Sequence, residues 1–220
     1  MCGRYVAARS VDEIRRLFAT VNPPPNFDAT WNMAPTRLAP VVRLHPGEGA
    51  RHLDLLAWGL VPHWVKDLKA ARKPINARSE TAATSPLFRD ALARRRCIVP
   101  ADAFYEWQVT DAGKLPNAVA RADGMPMALA GLWEGWRGPD GVVLRSFTIL
   151  TTVACSALEH LHERMPVVLE QPDWALWLGE EDGPHHALMR PSAAGFRSWR
   201  VSTKVGNVRN DGPALLEEVA

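Results

Sequence analysis

Residues 97–151 hold five strand-length apolar runs with only short, turn-like connections between them. The runs are 97–100, 103–109, 118–121, 126–133 and 142–151, rich in Val, Ile, Leu and aromatic residues. Turn chemistry separates them: Asp111 with Gly113, Asp123-Gly124 and Pro139-Asp140-Gly141. Strands joined this closely run antiparallel, because a parallel pair needs a long crossover. Two further strands are expected at 38–44 and 51–58 around Pro46-Gly47, a short extended piece at 167–169, and a late strand at 200–205. Helices fall between the strands. Ser10 with Glu13 is a capping box opening a helix to Phe18, and Ser85 followed by Pro86 starts one reaching about Arg95. Ser156 with Glu159 opens a short helix to Arg164, and 172–178 and 184–189 read as two more. The prediction is an α+β fold, one domain over residues 1–220. Its β-sheet is mostly antiparallel and barrel-like, with interspersed short helices.

A chain of 220 residues with 47% hydrophobic content can bury a full core. No apolar run approaches the roughly 20 residues that cross a bilayer. The first residues lack a basic stretch leading into an apolar segment, so no secretory signal is expected. Cys2, Cys97 and Cys155 are an odd, sparse set with no C-x-x-C spacing, which argues for a reducing compartment. These features predict a soluble cytoplasmic protein with no membrane partner. A net charge of +2 does not suit bulk electrostatic coating of duplex DNA, yet it permits a local anion-binding cleft.

Cys2 stands directly behind Met1. Removing the methionine leaves an amine and a thiol on adjacent carbons, with ordinary pKa values of roughly 7.7–8.0 and about 8.5. Against an aldehyde, the amine forms a Schiff base and the thiol closes a five-membered thiazolidine. Against an amide, the thiolate can act as an acylated nucleophile. A structural cysteine that happens to fall early is the third reading.

Other segments carry chemistry less specifically. Asn76 and Arg78, two residues apart, share a face if the segment is extended. Asn76 can then orient an amine or a sugar hydroxyl, and Arg78 can hold a phosphate. A helix entry capped by Ser79 is the alternative. In 103–109, alternation puts Phe104 and Glu106 on one face and Tyr105 and Trp107 on the other. A carboxylate in so apolar a segment is suited to proton transfer, although strand glutamates often face solvent. On the expected helix at 156–164, His162 lies on the side of Leu158 and His160 roughly 200° away. A functional histidine there is His162; a buried, hydrogen-bonded one is the alternative. No ligand-spaced cluster is evident, so no metal or cofactor is expected.

Met1-Cys2-Gly3-Arg4, Trp58-Gly59-Leu60-Val61-Pro62, Asn76-Ala77-Arg78-Ser79-Glu80-Thr81, Phe104-Tyr105-Glu106-Trp107 and His162-Glu163-Arg164-Met165-Pro166 occur in that order. Together they resemble the SRAP family of SOS-response-associated peptidases, also called abasic-site processing proteins. The resemblance implies that Cys2 crosslinks to the ring-opened abasic sugar in single-stranded DNA as a thiazolidine. A self-processing or peptidase activity would remove Met1. It implies that Asn76 orients the amine or sugar and that Glu106 and His162 transfer protons. Arg4, Arg78 and Arg164 would face phosphates, and Trp64 or Trp107 would stack on flanking bases. The implied state is a monomer, nucleoid-associated when bound to DNA. Two rival classes remain at this stage, an N-terminal-nucleophile amidohydrolase and a noncatalytic DNA-binding module.

Overall fold

Strand β10 (Val143–Val153) is where the fold closes. The computed structural model describes residues 2–111 and 113–219. Strands β3 (Leu38–Leu44), β4 (Arg51–Trp58), β6 (Arg96–Ala101) and β9 (Met127–Arg137) join β10 in a ring. Around it, β10 pairs β4, β4 pairs β3, β3 pairs β6, β6 pairs β9, and β9 pairs β10 again. Every pairing is antiparallel except β4 with β10. The expected barrel-like, mostly antiparallel sheet is therefore a closed five-strand ring. Side chains alternate across its wall. Val41, Cys97 and Val99 enter the central core, whereas Val42 and Ile98 face a second core under the helices.

A second sheet covers one side of the ring. It runs β13 (Phe196–Arg200), β8 (Gly113–Arg121), β7 (Ala103–Thr110), β1 (Arg4–Ala7) and β2 (Thr30–Met33). Its inner side chains, among them Tyr5, Phe104 and Val119, join the ring interior in one core. Helix α1 (Val11–Phe18) begins with the predicted capping box and ends at Ala19 in the left-handed region. Its Ile14 and Phe18 pack in the second core with Leu92 of α3 (Arg89–Arg94) and Trp177 of α4 (Trp174–Leu178).

The chain leaves the ring after Trp58 and returns at β5 (Asn76–Arg78). Gly59 permits the exit with φ +129, a conformation L side chains rarely adopt. Leu60 N donates to Pro74 O at 3.1 Å, pinching the excursion at its base. β5 then lies along β10 just beyond the point where β4 stops: Phe147 opposes Trp58, and Ile149 opposes Asn76.

Tertiary pairing overrides several local patterns. The helix expected at 156–164 is a run of turns instead. β11 (Arg164–Pro166) must pair with the end of β10, Val153 opposing Arg164, so a helix cannot continue through it. The late strand falls at 196–200, pairing β8, and residues 203–206 form a 3₁₀ turn that Ser202 caps from its side chain. Residues 184–189 likewise yield a 3₁₀ turn at His185–Leu188. At 85–95 a turn precedes α3, which starts only at Arg89.

The last residues fold back onto β2. Fully buried Asn32 donates through Nδ2 to the carbonyls of Val205, Asn207 and Asn210, and accepts from Arg4 through Oδ1 at 2.8 Å. Asn32→Ala strands these groups. It is expected to destabilise the fold by roughly 3 kcal/mol, within the range for orphaned buried polar groups. A lower urea midpoint at unchanged slope checks this.

Candidate active site at the N-terminal cysteine

Strand β1 sets Cys2 against the ring interior. Arg4 opposes Tyr105, and continuing that antiparallel register sets residues 2–3 alongside Glu106. Cys2 is fully buried in the central core. Its Sγ lies 3.7 Å from Arg4 O, to which it donates. Burial pushes the thiol well above its ordinary range, and the nearby charge of Glu106 pushes it further. The thiol is therefore held in its protonated form at neutral pH.

The return strand supplies the second group. Asn76 Nδ2 donates to the Cys2 carbonyl at 2.8 Å. The Oδ1 of the same amide is buried and has no hydrogen-bond partner among the described residues. An acceptor left open beside Cys2 costs folding energy, and an amine or hydroxyl hydrogen arriving there would satisfy it.

Glu106 and His162 line one small cavity with Phe104, Val119, Leu158, Leu161, Arg164 and Met165. Five of these apolar neighbours also pack in the Cys2 core. Glu106 is 4% exposed, and its Oε1 accepts from Trp107 N at 3.1 Å. His162 Nδ1 accepts from Arg164 N at 2.9 Å, which assigns the proton of the uncharged ring to Nε2. His160 is exposed, as expected, although turns rather than a helix separate it from His162. The four sequence-predicted catalytic residues, Cys2, Asn76, Glu106 and His162, thus converge from β1, β5, β7 and the β10–β11 turn.

The residues expected to meet DNA occupy different environments. Arg78 is exposed at the end of β5 and has no ion pair among the described residues. Arg164 makes a two-pronged pair with Glu80 at 3.0 and 2.9 Å and donates to Thr151 O at 2.7 Å. That pairing holds the Glu80 carboxyl below its usual range. Arg4 is turned away from this cluster: it binds Asn32, Val205 O and Gly206 O, joining the two ends of the chain. Trp64 is 51% exposed on the excursion and lines an apolar pocket with Pro62, Val65, Ala71, Arg72 and Leu87. Trp107 packs half-buried, with Trp31 and Trp199, against a separate cluster that includes Tyr105 and Val201, on the face opposite Glu106.

Sequence reasoning missed how the excursion is anchored. Trp136 Nε1 donates to Val65 O at 2.7 Å, and buried Glu134 holds Arg95 at 2.7 Å and His63 at 3.3 Å. Trp58 Nε1 donates to Ile75 O at 2.9 Å, fixing the residue before Asn76.

Ring and buried cysteine define a class: a closed β-barrel protein with Cys2 packed in its central core. The chain belongs to the SOS response associated peptidase (SRAP) family, whose model matches residues 1–208. It is 36% identical over 224 residues to the abasic site processing protein YoqW of Bacillus subtilis, covering 99% of each chain. To the abasic site processing protein YedK of Escherichia coli it is 33% identical over 233 residues, covering all of both. A solved structure from Bordetella bronchiseptica matches with TM-score 0.80 at 29% identity, over 91% of this chain and 100% of the other. A second, from Bacteroides thetaiotaomicron, shares the fold with TM-score 0.89 at 20% identity, covering both chains fully.

Two outcomes follow from the burial and pairing at this site. A group whose pKa is raised on folding stabilises the protein fully below its unfolded value and less as pH climbs above it. Cys2, Cys97 and Tyr5 are all raised by burial, from ordinary values of 9.0, 9.0 and 10.0. Stability should therefore fall as pH rises past about 9, and denaturant midpoints from pH 7 to 10.5 check this. Separately, if the exposed Arg78 meets a phosphate of bound single-stranded DNA, Arg78→Ala should lower the salt slope of that binding by about 0.7. Arg164→Ala should lower it less, because Glu80 already neutralises that guanidinium. Binding isotherms at several salt concentrations measure both slopes.

Proposed function

We propose that this protein captures abasic sites in single-stranded DNA as a covalent thiazolidine on Cys2. The observation that carries the proposal is the Asn76–Cys2 contact beside a cavity lined by Glu106 and His162. Membership of the SRAP family supports it, as do relatives named abasic site processing proteins. Met1 lies outside the described residues; its removal, by self-processing or otherwise, frees the Cys2 amine.

The amine adds to C1′ of the ring-opened sugar, and the carbinolamine loses one water to give the imine. Sγ then adds to the imine carbon while the thiol proton passes to nitrogen, closing the ring. Burial keeps the thiol protonated, so it is a poor first nucleophile. That accords with amine attack first. Glu106 takes and returns the thiol proton. His162, with its proton on Nε2, serves the departing water and the sugar oxygen. Asn76 Oδ1 accepts from the amine or from a sugar hydroxyl. Arg78 holds a phosphate, Arg164, already paired with Glu80, adds a weaker contact to another, and Trp64 stacks on a flanking base. The protein acts as a monomer and as one domain over residues 1–220.

The test is a denaturing gel with intact mass, using one abasic oligonucleotide. Cys2→Ser and a protein with a verified blocked N-terminus should give no stable adduct. Glu106→Gln and His162→Ala should slow formation or reversal by roughly 10²–10⁴-fold, and His160→Ala should do little. An equally abundant adduct from the blocked protein would falsify the thiazolidine mechanism.

A further inference from the structure

The β3–β4 hairpin carries a cluster that the proposed chemistry does not use. His45 follows β3, Glu48 sits in the turn, and His52 lies on β4. Glu48 offers one oxygen to each histidine: Oε1 lies 3.5 Å from His45 Nδ1, and Oε2 lies 3.0 Å from His52 Nε2. The two imidazoles stack with centroids 4.5 Å apart. The ligating atoms of all three side chains fall within 4.8 Å of one another.

We propose that His45, Glu48 and His52 form a divalent transition-metal site, suited to zinc, that staples this hairpin. Two imidazoles and a carboxylate make a donor set that zinc takes with bonds of roughly 2.0–2.2 Å, leaving a fourth position for water. Such bonds set donor atoms roughly 3.3–3.6 Å apart. The two contacts to Glu48, at 3.5 and 3.0 Å, are already close to that, and all three donor atoms lie within 4.8 Å of one another.

Simple ion pairing accounts for the cluster less well. His45 Nδ1 is a buried atom with no hydrogen-bond partner among the described residues, despite the carboxylate 3.5 Å away. A metal ion between the three groups would occupy that lone pair. The neighbouring cation does not oppose it. Arg43, the cross-strand partner of His52, is paired with Asp54 at 2.6 Å and lies over the Trp133 ring. The site is also remote from the reactive cysteine. His52 lies six residues before Trp58 along β4, roughly 20 Å at strand rise, and Trp58 is at the Asn76 end.

Zinc chloride titrated calorimetrically into the full chain tests the assignment. One ion per chain is expected, with binding retained in Cys2→Ser, which removes the thiol of the N-terminal amine–thiol chelate. His45→Ala and Glu48→Gln should each weaken binding at least 10–100-fold, a loss of about the size that follows removal of even outer-shell partners. Zinc should raise the melting temperature of the wild type and not of these variants. Glu48→Gln changes an exposed turn residue, and its melt in chelator verifies that it is folded. With cobalt(II) as probe, the spectrum should lack a thiolate-to-cobalt band. No binding by the folded wild type, or equal affinity in His45→Ala and Glu48→Gln, leaves an ion-paired turn only and overturns the site.

Discussion

An odd ring of strands cannot be antiparallel throughout. Neighbours alternate direction around the ring, and with five members the alternation fails once. Here it fails between β4 and β10, the one parallel pair of the ring. A parallel seam has no hairpin of its own, so the chain can depart from it and rejoin it. It does so between Trp58 and Asn76, placing β5 on β10 just past the end of β4. Asn76, Arg78 and the Trp64 excursion all owe their positions to this break. The site stands where the ring is least regular, at the point its strand count makes unavoidable.

The same core that stabilises the fold sets the chemistry of Cys2. Cys2 shares its core with Phe104, Leu158, Leu161 and Met165, and burial raises its thiol, which disfavours the thiolate. In the proposed thiazolidine capture, the substrate enters through the amine and only then brings its electrophilic carbon to sulfur.

Much of this architecture was legible in local sequence. The strands at 38–44 and 51–58 match β3 and β4 residue for residue, and the Ser10–Glu13 box opens α1 as expected. Alternation also placed Glu106 with Phe104 and set Tyr105 and Trp107 on the other face. What failed depended on distant partners. The 156–164 segment has helical spacing, but β10 claims its end as a strand. The resemblance implies a phosphate-facing Arg4, whereas its partners here, Asn32 and the carbonyls of Val205 and Gly206, lie far off in sequence. The parallel seam left no trace either, since no short motif encodes which strand must reverse the pattern. The His45, Glu48 and His52 grouping has no sequence signature for a related reason: a hairpin aligns residues whose linear spacing resembles no ligand motif.

The bond from Arg4 to Val205 O spans 201 positions. Synthesis proceeds from the N-terminus, so the strand bearing the cysteine leaves the ribosome long before the segment that clamps it. Until residues 205–211 arrive, Arg4, Asn32 and Thr30 have no acceptors or donors there to close upon. Closure of this corner of the fold is therefore ordered in time by the direction of translation: β1 waits for the segment that fastens it.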